Sequence, residues 1–106
     1  MHLSILFAVV FAAVAAAAPA PAQTTEGEKI YADRCVSCHA RDGSGNTARG
    51  KTLKVPDLRS VEIQKKTDDQ LLQAVVAAKA HPAYRKQIGD DGIRKVIGFM
   101  RSLKRN

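Results

Sequence analysis

The sequence has no tryptophan, two cysteines, two methionines and few aromatic residues. Phe7 and Phe11 lie in the first 22 residues, so only Tyr31, Tyr84 and Phe99 remain for the following 84. Those 84 residues hold 30 apolar side chains, too few to fill a firm core without help. Domains of this size commonly need a disulfide, a metal or another staple. There is room for one domain and none for a second. No strand-like alternating run of any length appears, which excludes a sheet protein. The formal net charge is +7, and every charged residue lies beyond residue 22.

The uncharged start has its own meaning. Eighteen of the first 22 residues are apolar, with a run from Leu3 to Ala18 followed by Pro19, Ala20, Pro21 and Ala22. This reads as a signal peptide over residues 1–22, with Ala20 and Ala22 as the small residues of a cleavage site before Gln23. A retained anchor is the competing reading, but sixteen residues, many of them alanine, fall short of the ~20 that a spanning helix needs. An exported, periplasmic domain over residues 23–106, without stable membrane insertion once cleaved, is expected.

The two cysteines stand in Cys35-Val36-Ser37-Cys38-His39. A disulfide across two residues closes so small a loop that it constrains little of the unfolded chain. A thioredoxin-like redox pair wants a βαβ context that is missing. Zinc is a third reading, with Cys35, Cys38, His39 and His81 as donors, but the adjacent Cys38 and His39 are poorly spaced to reach one tetrahedral ion. The fourth reading uses every residue of the motif. C-x-x-C-H is the attachment signature of haem c: two thioethers to the vinyl groups, with the following histidine as proximal iron ligand. Export fits that reading, and a haem supplies the missing apolar filler.

Around the motif the pattern is helical. Thr25-x-x-Glu28 and Thr67-x-x-Gln70 are capping boxes, the first opening a helix that carries Ile30, Tyr31 and Arg34 into the motif. The second opens a helix with Leu71, Leu72, Val75 and Val76 on one face. Ser60 caps a short turn through Gln64. Arg41 to Asp57 reads as a loop, and so does Lys79 to Ile88. A last helix from near Asp90 presents Ile93, Val96, Ile97, Met100 and Leu103 on one face. The fold class is all-α.

Gly27-x-x-x-Tyr31, Cys35 to His39, Gly43-Ser44-Gly45, Pro56-Asp57-Leu58, Ala80-His81-Pro82-Ala83-Tyr84 and Phe99-x-x-x-Leu103 follow one another in this order. In that succession residues 23–106 resemble a small class I cytochrome c of the bacterial periplasmic kind. The resemblance implies a cytochrome c fold in which the N- and C-terminal helices cross near Gly27, Tyr31 and Phe99 around one covalent haem. It also implies a role in electron transport rather than catalysis.

One position departs from the family. Where its members place an axial methionine before the proline, this chain has His81. Met100 is expected in the core beside Phe99. The resemblance therefore implies iron held by His39 and His81, with a weakly ligated or open distal site and ligation by Lys79 as alternatives. Two imidazoles favour ferric iron and a lower potential than a thioether does. The Pro56 carbonyl is the candidate acceptor for the second ring nitrogen of His39. Lys51, Lys54, Lys79, Arg85 and Lys86 lie in loops expected near the haem edge, so acidic redox proteins are the expected partners of a monomeric carrier. Nucleic acid is not expected. The competing function is a haem sensor or peroxidase-like protein in which His81 is displaceable. A purely structural domain is a more distant third.

Overall fold

The computed structural model describes residues 5–16 and 24–105. The proposed cleavage site, with Ala20, Ala22 and Gln23, lies outside the described residues. Residues 5–16 form no helix or strand, and Ile5, Leu6, Phe7, Phe11 and Val14 are exposed. No helix among the described residues is long and apolar enough to cross a membrane.

The described residues form six helices and no strand: α1 (Glu26–Arg34), α2 (Val36–His39), α3 (Ala48–Leu53), α4 (Val61–Gln64), α5 (Asp68–Ala77) and α6 (Tyr84–Ser102). Threonine and serine start most of them by satisfying N–H groups that the first turn leaves without partners. Thr67 caps α5 with a full capping box, its hydroxyl accepting from Gln70 N while the Gln70 side chain accepts from Thr67 N. The Thr25 box is only half formed: its hydroxyl accepts from Glu28 N, and no return bond from the Glu28 side chain accompanies it. Ser60 caps α4 through Ile63 N.

The fold rests on the crossing of α1 and α6. Gly27 packs so closely that a Cβ there would fall on the Lys95 carbonyl. Tyr31 and Phe99 meet beside it with ring centroids 5.1 Å apart. Lys95 Nζ donates to Glu26 Oε2 at 2.7 Å across the exposed edge. On the other side of α6, Ile93, Ile97 and Met100 form the buried core with Leu71 and Leu72 of α5. Full burial of such side chains is worth roughly 1.5–3 kcal/mol each, against the chain entropy that folding removes. Val76 is not part of this core; it is exposed, because α5 turns only Leu71, Leu72 and part of Val75 toward α6.

Two stretches read as loops contain helix. Within Arg41–Asp57, Thr47 caps α3 by accepting from Gly50 N, and Lys54 ends it in the left-handed region at φ 54°. The final helix begins at Tyr84 rather than near Asp90. Its first turn is separated from the rest by Gly89, at φ 70° and ψ 169°, a conformation glycine adopts without strain.

Candidate haem site

The motif occupies the end of α1 and all of α2. Cys35 ends α1 and its N–H donates to the Tyr31 carbonyl; Cys38 and His39 follow within one turn. The chain then reverses at Ala40, at φ 65° and ψ 162°, a region otherwise left almost entirely to glycine. Tyr31 Oη donates to the Ala40 carbonyl at 2.6 Å and fixes that reversal. Thr47 Oγ1 donates to the Cys38 carbonyl at 2.8 Å, and Gly50 sits so close that a Cβ would meet the carbonyls of Cys38 and Gly45. Helix α3 thus buttresses the motif from beneath.

His81 is set by the opposite end of the cleft. Helix α5 ends at Ala77, leaving carbonyls of its last turn without helical donors. His81 Nδ1 lies 2.7 Å from one of them, Val75 O. A carbonyl only accepts, so Nδ1 carries the proton, and a neutral ring then has its lone pair on Nε2. A helix end thereby selects the tautomer with Nε2 free to bind a metal.

A cleft of about 620 Å³ opens between these elements. Cys35, Cys38, His39 and His81 all line it, with apolar walls that include Ile30, Leu58, Val75, Ile93 and Ile97. Met100 is buried in the core, as expected, and its residue also borders the cleft. The centroids of the His39 and His81 rings are 6.2 Å apart. Two metal–nitrogen bonds of about 2 Å, with about 1 Å from each nitrogen to its ring centre, require nearly that separation. Both thiols are free, with no disulfide between them. Burial pushes the Cys35 thiol up to about 11, against a smaller opposing pull from Arg34. Burial, and secondarily the charge of His81, lowers the His39 pKa and favours the neutral imidazole that ligation requires. Among the described residues, no group of three His, Cys, Asp or Glu side chains converges as a metal site of its own.

His39 Nδ1 is buried and has no hydrogen-bond partner. The expected bond to the Pro56 carbonyl is not made. An apolar cleft, two thiols at its edge and two imidazoles with ring centres 6.2 Å apart together fit a haem. The rim is cationic: Arg34, Arg49, Lys54 and Lys79 border the cleft. Of the basic residues singled out from the sequence, Lys51, Arg85 and Lys86 are exposed but do not border it. Arg34 and Arg49 were missed, because a helical register and an unrecognised helix decide where they point. A shallower groove of about 580 Å³ between α1 and α6, edged by Glu26, Asp33, Asp91 and Lys95, holds none of the motif residues.

Residues 22–100 match the family model described as cytochrome c oxidase, cbb3-type, subunit III. The chain belongs to this family. Haem c is therefore its cofactor, and electron transport its role. A cbb3-type cytochrome c oxidase subunit FixP from Rhizobium meliloti (strain 1021) is 30% identical over 86 residues, covering 78% of this chain and 28% of that protein. The same subunit from Sinorhizobium medicae (strain WSM419) is 29% identical over 86 residues, with the same coverage of each chain. The chain thus spans 28% of the length of these curated relatives. Among solved structures, the KustC0563 c-type cytochrome superposes with a TM-score of 0.67 at 21% identity, over 74% of this chain and 98% of that one. That likeness establishes the all-α cytochrome c fold.

Proposed function

We propose that residues 23–106 form a periplasmic one-electron carrier of low potential, released from a signal peptide over residues 1–22. Cys35 and Cys38 would hold the haem through thioethers, and His39 and His81 would supply two nitrogen ligands to its iron. The observation that carries this reading is the facing pair of imidazoles at 6.2 Å, with the His81 tautomer set by Val75 O. When bound, the haem supplies a one-electron ferric–ferrous couple. The chain's own work is to hold His39 neutral by burial, to exclude water with the apolar walls, and to keep His81 in place through the bond from its Nδ1 to Val75 O. With both His39 and His81 engaged as ligands the iron would have no site for a substrate, which supports a carrier rather than an enzyme.

The replacement of the family's methionine by His81 sets the direction of the potential. Imidazole is the stronger donor and stabilises ferric iron, whereas a thioether raises the potential. The cationic rim of Arg34, Arg49, Lys54 and Lys79 suits transient docking against acidic faces of redox proteins, with charge steering the encounter. A redox titration of the holoprotein and of His81→Met tests the reading. A single one-electron wave is expected, with the variant higher by on the order of 0.1–0.3 V, within the range axial ligands command. Equal potentials for the two proteins would remove His81 from the iron.

A further inference from the structure

The segment that follows His81 is fastened to the helix that precedes the cysteines. Tyr84, three residues beyond His81, has its ring centroid 5.3 Å from the His81 ring, and its hydroxyl donates to the Arg34 carbonyl at 3.2 Å. One turn further, Gln87 Oε1 accepts from Arg34 Nη1 at 2.6 Å. These bonds join residues 50 and 53 apart in sequence. They connect the final turn of α1, which runs directly into Cys35, with the first turn of α6, which carries the His81 loop. On its far side that first turn ends at Gly89, whose backbone is non-helical and whose surroundings are open within 4 Å of a Cβ. Arg85 Nε spans the break by donating to Asp90 Oδ1 at 2.7 Å. The Tyr84–Ile88 turn is thus a short strut, hinged at Gly89 and tied at its free end to Arg34.

A strut of this kind sets how readily the distal ligand withdraws. His81 is bonded to Val75 through its own ring, but its backbone lies in a turn closed by His81 N to the Ala78 carbonyl. A withdrawal of His81 that carries its loop with it swings this turn and the Tyr84–Ile88 strut about Gly89. That movement breaks the Arg34–Gln87 bond. We propose that Arg34 and Gln87 are positioning residues that latch the His81 loop to the haem-binding helix and slow dissociation of the distal ligand. This inference rests on His81 being the sixth ligand and adds what keeps it there. Gln87 is the informative member, because it is exposed and borders neither the cleft nor the motif.

The test uses ferric holoprotein mixed with cyanide. At saturating cyanide the observed rate reads the departure of His81, since the His81–iron bond must break before the cyanide–iron bond forms. Gln87→Ala is expected to raise that plateau rate roughly three- to tenfold, the effect of one lost hydrogen bond. Gln87→Glu, which replaces the neutral amide acceptor of the Arg34 cation by a carboxylate and so makes an ion pair, is expected to lower it. Amide exchange in residues 84–88 of the holoprotein should quicken in Gln87→Ala and remain unchanged in α5. Plateau rates equal among the three proteins, with a low-spin six-coordinate wild type, would overturn the latch and leave the ligand assignment standing. A wild type that binds cyanide at a rate proportional to concentration without limit, from a high-spin start, would overturn both.

Discussion

His39 and His81 face one another across an apolar cleft with ring centroids 6.2 Å apart, although 42 positions separate them in the chain. His39 is delivered by the end of α2, directly after Cys38, and His81 by a bond from its Nδ1 to the last turn of α5. Replacing His81 with alanine removes one donor without touching the covalent attachment. The expected product is a red protein whose ferric iron is high-spin and whose ferrous form binds carbon monoxide rapidly. Absorption spectra check this, and an unchanged low-spin spectrum would require another ligand, such as Lys79 or Met100.

The contact between α1 and α6 depends on Gly27. A methyl group there lands on the Lys95 carbonyl, and backbone on both sides leaves it nowhere to go. Gly27→Ala should cost about 3 kcal/mol, at the upper end of overpacking effects. Urea unfolding of the holoprotein measures it.

Ala40 gives a prediction of opposite sign. Its φ of 65° and ψ of 162° are strained for a residue with a side chain. Ala40→Gly should stabilise the protein by about 1 kcal/mol, the relieved strain exceeding glycine's greater unfolded-state entropy. The urea midpoint should rise, with the spectrum unchanged.

Acid acts against the fold through His39. Burial lowers its pKa, so the unfolded chain binds this proton more readily than the folded one. Stability then rises with pH wherever the unfolded state holds more protons, and falls as pH drops through the unfolded imidazole value of about 6.5. Iron ligation, which also requires neutral imidazole, pulls the same way. Urea midpoints of the holoprotein should decline from pH 7 to pH 5.

Much of this architecture is legible in the residues themselves. C-x-x-C-H states its chemistry in five positions, and the Thr67–Gln70 box states where α5 begins. Gly27, Tyr31 and Phe99 are where the resemblance expects the crossing. What was not legible depends on contacts made at a distance. Helix α3 hides in a stretch rich in glycine and polar residues, where Thr47 earns its capping role only by also binding the Cys38 carbonyl. The Tyr84–Ile88 turn is cut from its helix by Gly89, which breaks the apolar period that otherwise marks α6. Val76 fits the apolar stripe of α5 by spacing, yet the angle at which α5 meets α6 leaves it in solvent. The Pro56 carbonyl is in the expected region of the sequence, but His39 Nδ1 forms no bond to it.

The most direct test is the absorption spectrum of the purified ferric and ferrous protein, with carbon monoxide added to the ferrous form. Ligation by His39 and His81 predicts a low-spin ferric spectrum without the far-red methionine–iron band, and a ferrous spectrum that carbon monoxide does not shift. A methionine band would place Met100 on the iron, and high-spin iron or avid carbon monoxide binding would mean an open distal site; either result would contradict the account.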